Sequence, residues 1–408
     1  MPQTVPVPRA AATAVHELVP TDGALPDAAL AGLGSRPFGL YLHVPFCASR
    51  CGYCDFNTYL GSELGGGSLQ AGYVDTALAE LALTQQVLGE RAPVVDTVFV
   101  GGGTPTLLPA QDLVRLLRRV RDELGLAPGA EVTTEANPDS VDERYLAELR
   151  EGGFTRVSFG MQSAVSSVLQ TLDRTHTPGR AQLAAAQAFS AGFEQVSIDL
   201  IYGTPGETDD DWRASLEAAL SVGPTHVSAY ALIVEDGTRL GRQVSTGVLP
   251  APDDDVLADR YLIAQHALRA LAWYEVSSWG EPCRHNLGYW RGGDWWGVGP
   301  GAHSHVGGVR WWNVKHPSTY AARLAQGLSP AAGREVLRDE DRRVERIMLE
   351  VRLREGAPLA LLRPAGLEAS RGQVDDGLLE VAPHREGRAV LTLRGRLLAD
   401  AVVRDLVD

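Results

Sequence analysis

The chain has 408 residues, of which 44% are hydrophobic and 22% are charged, and its formal net charge is −14 at pH 7. This length and composition predict a protein of more than one domain with a sizeable core, and no apolar stretch is long enough to span a bilayer. The acidic balance argues against nucleic-acid binding, because affinity for phosphate backbones comes from clustered Lys and Arg. Lys315 is the only lysine, which removes most lysine-dependent chemistry from consideration.

Residues 1–36 are rich in Ala and Pro and contain almost no basic residues. They lack the charged start and the apolar core of a signal peptide, so we expect a poorly ordered tail. The chain contains four cysteines, which are too few for a secreted disulfide scaffold of this length. The expected compartment is the reducing cytoplasm.

The first predicted strand, 39–44, leads into three cysteines spaced CxxxCxxC, namely Cys47, Cys51 and Cys54. Thiolates are soft ligands that suit iron–sulfur clusters, and a cubane [4Fe–4S] cluster normally takes four of them. Three ligands leave one iron open to a substrate or cofactor. A structural zinc completed by His43 or Asp55 is the alternative, although zinc sites more often pair two separated cysteine couplets and this chain has no second couplet.

Further β-rich segments alternate with helical patterns along the chain. Strands are predicted near 95–100, 131–135, 155–159, 195–201, 225–232 and 274–278, and helices at 73–88, 111–124, 142–151 and 209–222. Such alternation predicts parallel βα units. A partial barrel and a doubly wound sheet both fit this pattern, but no GxGxxG follows the first strand.

Polar residues and glycines cluster at the predicted strand ends, where parallel α/β barrels build their sites. The second strand ends in a glycine run followed by Thr104, and Glu135, Gln162 and Asp199 lie at or just after the ends of the third, fourth and fifth strands. Arg174 follows shortly after Gln162. Each also has an ordinary explanation: a tight βα turn, a helix cap or a solvated arginine.

The cysteine motif, together with Tyr53, resembles the signature of the radical S-adenosylmethionine (SAM) superfamily. The surrounding string YLHVPFC…CGYCDFNTY is similar to the oxygen-independent coproporphyrinogen III oxidase family, and over most of residues 38–408 it resembles that family's heme chaperone branch. The oxidases carry a further cysteine two residues after the third one, where this chain has Phe56, as the chaperone branch does. The resemblance implies a partial (β/α)6 barrel, with a [4Fe–4S] cluster on Cys47, Cys51 and Cys54 whose open iron binds SAM.

The resemblance also implies which residues contact SAM. Glu135 and Asp199 are suited to sugar hydroxyls, and Arg174 is suited to the carboxylate. The full implied set is Tyr41, Tyr53, Gly102, Gly103, Thr104, Glu135, Gln162, Arg174, Asp199 and Ile233.

Residues 273–316 hold seven of the eight tryptophans and four histidines, His285, His303, His305 and His316. Such a cluster is either a domain-interface core or a set of flat walls for a planar ligand, and histidine is a common axial ligand of heme iron. Composition leaves these alternatives open.

The resemblance favours heme, because residues 283–290 (CRHNLGYW) match the HNxxYW motif of the chaperone branch. It implies His285 as the axial ligand of the heme iron, within a heme-binding segment 283–305 shaped by Asn286, Tyr289 and Trp290. Cys283 ranks second as a ligand, since a lone cysteine is more often buried and inert.

Beyond residue 316 the predicted strands and helices no longer alternate. We expect a barrel domain over 37–316, a linker at 317–333 and a small α+β domain over 334–408 with a helix at 339–354, similar to the winged-helix-like domain that ends this family. Residues 334–408 contain 14 Arg against 15 Asp and Glu, so nucleic-acid binding is not expected and a substrate lid or a partner-docking surface is favoured.

The resemblance implies a heme chaperone that delivers heme to acceptor proteins, membrane-bound ones included, with an electron donor for the cluster. The alternative is an oxidase that decarboxylates coproporphyrinogen III to protoporphyrinogen IX, and a third hypothesis is a radical SAM enzyme with another substrate. Phe56 and the HNxxYW motif favour the chaperone. Enzymatic cleavage of SAM, and a monomer or a homodimer as the working state, stay open.

Overall fold

The computed structural model describes residues 15–17, 19–64 and 68–407. The strands in these residues are β1 (Val15–Glu17), β2 (Phe38–Val44), β3 (Phe46–Cys47), β4 (Tyr59–Leu60), β5 (Val95–Gly102), β6 (Leu126–Ala136), β7 (Arg156–Gln162), β8 (Gln195–Tyr202), β9 (His226–Ala231), β10 (Trp273–Glu275), β11 (Ser278–Gly280), β12 (Asp294–Val298), β13 (His303–Val306), β14 (Val309–Asn313), β15 (Ala331–Val336), β16 (Ala357–Pro358) and β17 (Arg388–Ala389).

The α-helices in the same residues are α1 (Asp27–Leu30), α2 (Ser68–Ala71), α3 (Tyr73–Leu88), α4 (Ala110–Glu123), α5 (Glu143–Gly152), α6 (Ser166–Thr171), α7 (Arg180–Ser190), α8 (Asp209–Leu220), α9 (Arg239–Ser245), α10 (Asp254–Ala267), α11 (Arg284–Trp290), α12 (Pro317–Ala325), α13 (Asp339–Glu350), α14 (Pro364–Asp375), α15 (Val381–Arg385), α16 (Leu393–Leu397) and α17 (Ala399–Val407). Within the described residues, no helix is long and apolar enough to cross a bilayer.

One large sheet dominates the structure, with the strand order β1-β15-β14-β13-β12-β2-β5-β6-β7-β8-β9-β11-β10. Its central strands, from β12 through β2 to β9, are parallel, and the strands at both ends are antiparallel. From β2 to β9 the sheet follows the chain without the reversal of strand order that defines a doubly wound sheet. The predicted α/β class is therefore confirmed, and the doubly wound alternative is excluded.

Side chains alternate between two environments along the parallel strands. On one face they are apolar and belong to the main core, as Leu40, Leu42, Val98, Val100, Val132, Val157, Val196, Ile198, Val227 and Ala229 do. On the other face, polar and aromatic side chains line one cavity, among them Tyr41, Phe99, Glu135, Ser158, Asp199 and Tyr230. Because consecutive strand residues point to opposite faces, the six parallel strands β2 and β5 to β9 enclose a polar interior and bury their apolar face under the helices.

The four helices predicted between the barrel strands are present, with ends within two residues of the predicted ones: α3, α4, α5 and α8. The fifth, predicted at 339–354, is α13, which ends earlier, at Glu350. The acidic start of α8 is a capping box, in which the Thr208 hydroxyl accepts from the Asp211 N–H and the Asp211 carboxylate accepts from the Thr208 N–H. The strand predicted at 274–278 is instead the antiparallel pair β10 and β11 at the edge of the sheet.

The prediction of a poorly ordered tail over 1–36 is wrong for the part that the structure describes. β1 pairs with β15, and α1 places Ala29 in the core at 2% exposure. One Arg36 Nη atom forms an ion pair with both Asp294 carboxylate oxygens, at 3.0 and 3.1 Å. The alanines and leucines here cover the sheet, which composition alone does not reveal. Residues 1–14 and 18 lie outside the described residues.

The predicted linker at 317–333 is also not a linker. It contains α12 and the first residues of β15, which pairs with β14 and extends the large sheet to Val336. No helix separates β13 from β14, and only α12 separates β14 from β15. The alternation of strands and helices therefore ends here, although the sheet continues.

A second hydrophobic cluster is formed by residues of α13, α17 and the segments between them, such as Ile347, Val351 and Val402. This C-terminal region is mostly helical, with the antiparallel pair β16–β17. This region contacts the large sheet at β10, where the Arg354 N–H donates to the Tyr274 carbonyl at 2.9 Å. Through Glu345, Met348 and Leu349, α13 also reaches the cavity.

Candidate functional site

The polar interior of the barrel is a cavity of about 880 Å³, within the usual size range of cofactor and small-molecule sites. Of the residues predicted from the sequence as ligands or contacts, these line it: Tyr41, Cys47, Cys51, Tyr53, Cys54, Gly102, Gly103, Thr104, Glu135, Gln162, Arg174, Asp199, Ile233, Asn286, Tyr289 and Trp290. His285 is not among the lining residues.

The three cysteines lie on one loop. Cys47 ends β3, and Cys51 and Cys54 follow before β4, all three partly exposed to the cavity and free of disulfides. The loop is anchored at Gly52, whose N–H donates to the Leu172 carbonyl and whose carbonyl accepts from the Leu240 N–H. Burial raises the pKa of the Cys47 and Cys54 thiols, the latter to about 12, so bound metal must displace their protons.

The geometry disfavours the zinc alternative. Throughout the described residues, no three His, Cys, Asp or Glu side chains converge as the ligands of one metal ion would. His43 already uses both ring nitrogens, since Nε2 donates to the Asn57 carbonyl and Nδ1 accepts from the Tyr41 hydroxyl, each at 2.9 Å. In a cubane cluster each cysteine binds a different iron, so separated thiols suit it better than they suit a single ion.

Gly102, which ends β5, and Gly103, which follows it, are required by contact with the residues that lead into the cysteine loop. A Cβ at Gly103 would lie 2.5 Å from the Phe46 carbonyl oxygen, and one at Gly102, where φ is 112°, would lie 2.5 Å from the His43 ring. The Gly103 and Thr104 N–H groups donate to the carbonyls of Val44 and Phe46 at 2.8 and 2.7 Å. These hydrogen bonds fix the residues that lead into Cys47.

Arg174 places a cation beside the cysteines. One Nη atom lies 3.7 Å from the Cys51 sulfur, and the other donates to the Gly160 carbonyl at 2.7 Å. The neighbouring Asp173 and the cavity residue Gln162 are the two non-glycine residues with positive φ in the described residues, at 52° and 64°. Gln162 lies where the β7–β8 register shifts, and strained backbone of this kind clusters at functional sites.

Two carboxylates point into the same cavity from neighbouring strand ends. Glu135 accepts a hydrogen bond from the Gly102 N–H at 3.0 Å, and Asp199 accepts one from the Ser158 hydroxyl at 2.6 Å. Burial raises the pKa of both. Each carboxylate keeps acceptor capacity for the hydroxyl groups of a ligand.

The remaining contacts predicted for SAM also border the cavity. Tyr41 is buried next to Phe99, Tyr53 packs beside the apolar cluster of Leu172 and Leu240, and Ile233 exposes 44% of its surface. Phe56, which stands where the oxidases carry a cysteine, lines the cavity and is 41% exposed.

The HNxxYW segment forms α11, whose start is held by Glu131. This buried carboxylate accepts from the Arg284 and His285 N–H groups at 3.1 and 3.0 Å, and from the Cys283 thiol at 3.4 Å. Burial raises the pKa of the Cys283 thiol to about 12, which keeps it protonated and makes it a poor thiolate ligand. Glu131 was missed in the sequence, although a carboxylate inside a buried strand indicates a specific partner.

His285 is buried and is hydrogen-bonded through both ring nitrogens. Its side chain is only 3% exposed, and its ring nitrogens are each 2.8 Å from a hydroxyl oxygen, Nδ1 from that of Thr97 and Nε2 from that of Tyr289. The ring also stacks on Phe99. Ligation through Nε2 would require His285 to give up its hydrogen bond to Tyr289 and its buried position, so in this arrangement it positions Tyr289.

Most of the predicted tryptophan wall belongs to the core. Trp279, Trp296 and Trp311 are part of the main hydrophobic cluster, and Trp273 packs under the Arg396 guanidinium. Trp290 and Trp295 line the cavity. The core interpretation thus holds for part of the cluster, while Trp290 and Trp295 border the cavity.

Two further cavity residues were not assigned from the sequence. His303 was noted only as one of four nearby histidines, and Lys315 only as the single lysine. The only feature of the sequence that could have pointed to Lys315 as a site residue is that it is the single lysine in an arginine-rich chain.

Comparison with known proteins agrees with this fold and site. A model of the radical SAM superfamily matches residues 41–219. The fold is similar to that of coproporphyrinogen III oxidase (HemN) from Escherichia coli, a radical SAM enzyme, with a TM-score of 0.78 and 21% identity over 95% of this chain and 94% of that one. The barrel and its cysteine loop therefore define a radical SAM protein, a class that implies SAM and a [4Fe–4S] cluster.

Two relatives narrow the class. Heme chaperone HemW from Mycobacterium tuberculosis (strain ATCC 25618 / H37Rv) is 55% identical over 383 residues, which are 93% of this chain and 97% of the relative. Heme chaperone HemW from Escherichia coli (strain K12) is 34% identical over 357 residues, which are 84% of this chain and 91% of the relative. The chain belongs to the HemW family of radical SAM proteins.

The contact between Gly103 and Phe46 makes a prediction. Gly103→Ala should displace the residues before Cys47 and lower the iron and sulfide content after anaerobic reconstitution towards that of Cys51→Ala, because the added Cβ meets a backbone carbonyl. Iron and sulfide analysis and the visible absorbance measure this. Gly372→Ala in α14, where a Cβ meets nothing within 4 Å, is the matched control. Wild-type iron and sulfide in Gly103→Ala would refute the contact's role.

Proposed function

We propose that this protein is a heme chaperone, which binds heme together with a SAM-coordinated [4Fe–4S] cluster and delivers the heme to acceptor proteins. The observation that carries the proposal is the 55% identity, over 93% of the chain, to a protein named heme chaperone HemW. The cavity supports the proposal, because the cysteine loop and the indoles of Trp290 and Trp295 line the same cavity.

The residues present fit the cluster. Cys47, Cys51 and Cys54 supply three thiols from a loop held at Gly52, and Arg174 sets a positive charge beside Cys51. When bound, the cluster supplies a redox centre with one iron open to an exchangeable ligand. The protein's own part is to hold the loop and to surround it with buried side chains that limit the access of water.

The residues proposed for SAM surround that loop on several sides. Arg174 is suited to the carboxylate of the methionine moiety, which a guanidinium binds with charge-assisted hydrogen bonds. Glu135 and Asp199 are suited to the ribose hydroxyls, and Gln162 and Thr104 add further polar groups to the cavity lining. Tyr41, Tyr53, Gly102, Gly103 and Ile233 complete the proposed set.

Heme is proposed to occupy the part of the cavity bordered by Tyr289, Trp290, Trp295 and Asn286. Indole and phenol faces give a planar macrocycle a large contact area, and Tyr289 and Trp295 already pack edge to face at 4.7 Å between ring centroids. The HNxxYW helix contributes Asn286, Tyr289 and Trp290, with Glu131 and His285 holding it in position.

The partners follow from this role. We propose heme-acceptor proteins, membrane-bound ones among them, an electron donor for the cluster, and action in the cytoplasm, either as a monomer or as a homodimer. The helical C-terminal region borders the cavity through α13, so we propose it as the cover of the site or the surface on which acceptors dock.

Oxidation of coproporphyrinogen III is the second candidate function. The fold similarity to the Escherichia coli oxidase favours it, since a TM-score of 0.78 over 95% of the chain includes the whole barrel. The chaperone is preferred because Phe56 replaces the oxidases' additional cysteine at the cavity surface, and because the chain belongs to the HemW family.

Glu135→Gln is expected to weaken SAM binding by about tenfold, because hydrogen bonds to a charged group contribute roughly 1.5–3 kcal/mol and the amide retains only part of this. Anaerobic calorimetry on cluster-loaded protein measures the affinity. Glu143→Gln, an exposed change at the start of α5, is the control and should leave it unchanged. Equal affinity in both variants would remove Glu135 from the proposed SAM site.

Wild-type protein is expected to bind one heme per chain, and Trp295→Ala to bind it about tenfold more weakly, because an aromatic pair contributes about 0.5–1.5 kcal/mol beyond the area that it buries. Titration with hemin, followed at the Soret band against cluster-loaded protein, measures both. Trp273→Ala, whose indole lies outside the cavity lining, is the control. The heme proposal fails if binding by wild type does not saturate.

A further inference from the structure

His303 presents an imidazole to the cavity. It is the first residue of β13, its side chain is exposed, and its ring stacks against Trp312 with 6.0 Å between ring centroids and an interplanar angle of 27°. In the part of the chain that the structure describes, its ring nitrogens have no hydrogen-bond partner. The ring is therefore oriented by stacking while both nitrogens stay available.

The other histidines of the cavity are engaged. His43 and His226 use both ring nitrogens in hydrogen bonds, and His176 is buried and accepts a hydrogen bond from Arg174 beside the cysteine loop. His285 is hydrogen-bonded at both nitrogens outside the lining. His303 can bind iron without breaking a hydrogen bond. Each of the other histidines would have to lose a hydrogen bond or leave its buried position.

His303 also adjoins the proposed macrocycle wall. Its backbone carbonyl accepts a hydrogen bond from the Trp295 indole N–H at 2.9 Å, which fixes the two residues relative to each other. Trp295 in turn packs edge to face on Tyr289 of the HNxxYW helix. The His303 imidazole is thus connected through Trp295 to Tyr289, and these two aromatic side chains form the proposed wall for the planar ligand.

A cation lies on the same part of the cavity lining. Lys315 is exposed and, among the described residues, has no carboxylate within ion-pair distance, whereas the nearby cavity residue Arg310 pairs with Glu335 and Glu345 at 2.7 and 2.9 Å. The backbone around Lys315 is held by Asn57, whose amide donates to the carbonyls of Lys315 and Pro300. An uncompensated charge held in this way suits an anionic group of a ligand.

We propose that His303 is the axial ligand of the heme iron and that Lys315 pairs with a carboxylate of the same tetrapyrrole. The inference rests on the proposed heme-binding function and assigns its ligand. His285 then has a positioning role, holding Tyr289 and α11.

The test uses the full-length, cluster-loaded protein with hemin as the probe. His303→Ala should lose the optical and electron paramagnetic resonance signature of axial imidazole ligation, and added free imidazole should restore it, because the small ligand can enter the space left by the side chain. His266→Ala, an exposed histidine on α10, is the matched control and should keep the wild-type signature. Because His303 is exposed and makes no side-chain hydrogen bond, its loss should leave the fold intact, which circular dichroism checks.

An unchanged ligation signature in His303→Ala would overturn the assignment while leaving the heme chaperone proposal standing. So would a loss that free imidazole fails to restore. If wild type binds no hemin, the proposed function itself fails. The two failures are therefore distinguished by the wild-type titration alone.

Lys315 is tested with heme dimethyl ester, which lacks the carboxylates. Lys315→Met should weaken hemin binding by about two- to fivefold, the range of an exposed ion pair, without changing the ligation signature. Conversion of hemin to its dimethyl ester should weaken binding by wild type more than binding by Lys315→Met. An equal loss in the two proteins would refute the pairing.

Discussion

The alternation of side chains along six parallel strands is the constraint on which the site depends. Each strand buries one apolar face under the helices and turns the other inward, so residues two apart in sequence share the same cavity. Glu135 and Asp199 meet there because neighbouring parallel strands end at the same edge of the sheet. A register shift by one residue would put Ile198 or Leu200 of the core in the place of Asp199, and Thr134 or Ala136 in the place of Glu135. The same pairing that stabilises the barrel therefore also positions its polar groups.

The loops at the strand ends supply the remaining residues of the site. The cysteine loop enters from β3 and is held against the glycine-rich turn after β5 by backbone hydrogen bonds to Val44 and Phe46, with no room for a side chain at Gly103. The glycines thus serve the cluster ligands through backbone packing, in addition to any contact with SAM. On β6, the neighbour of β5, Glu131 holds the start of α11. Buried polar contacts, each with a specific partner, connect the proposed SAM and heme regions to one scaffold.

Periodicity and turn chemistry sufficed to predict the α/β class, four helices and the strand ends where polar residues gather, because these depend on local patterns. The cysteine spacing and the resemblance then indicated the residues of the cavity. The features that the sequence did not reveal depend on long-range packing. The engagement of His285 with Thr97, 188 positions away, has no local signal. Similarly, a tryptophan-rich segment does not reveal which indoles face the core, and an alanine-rich N-terminal segment does not reveal that Ala29 covers the sheet.

We propose that the interior of this radical SAM barrel carries a heme rather than oxidising a porphyrinogen. The most direct measurement is an anaerobic assay of cluster-loaded protein with coproporphyrinogen III, SAM and a reductant, analysed for decarboxylated product, with the Escherichia coli oxidase as positive control. The account predicts that the substrate stays intact in the presence of this protein while the control converts it. Formation of protoporphyrinogen IX by this protein would contradict the chaperone assignment and make the oxidase hypothesis correct.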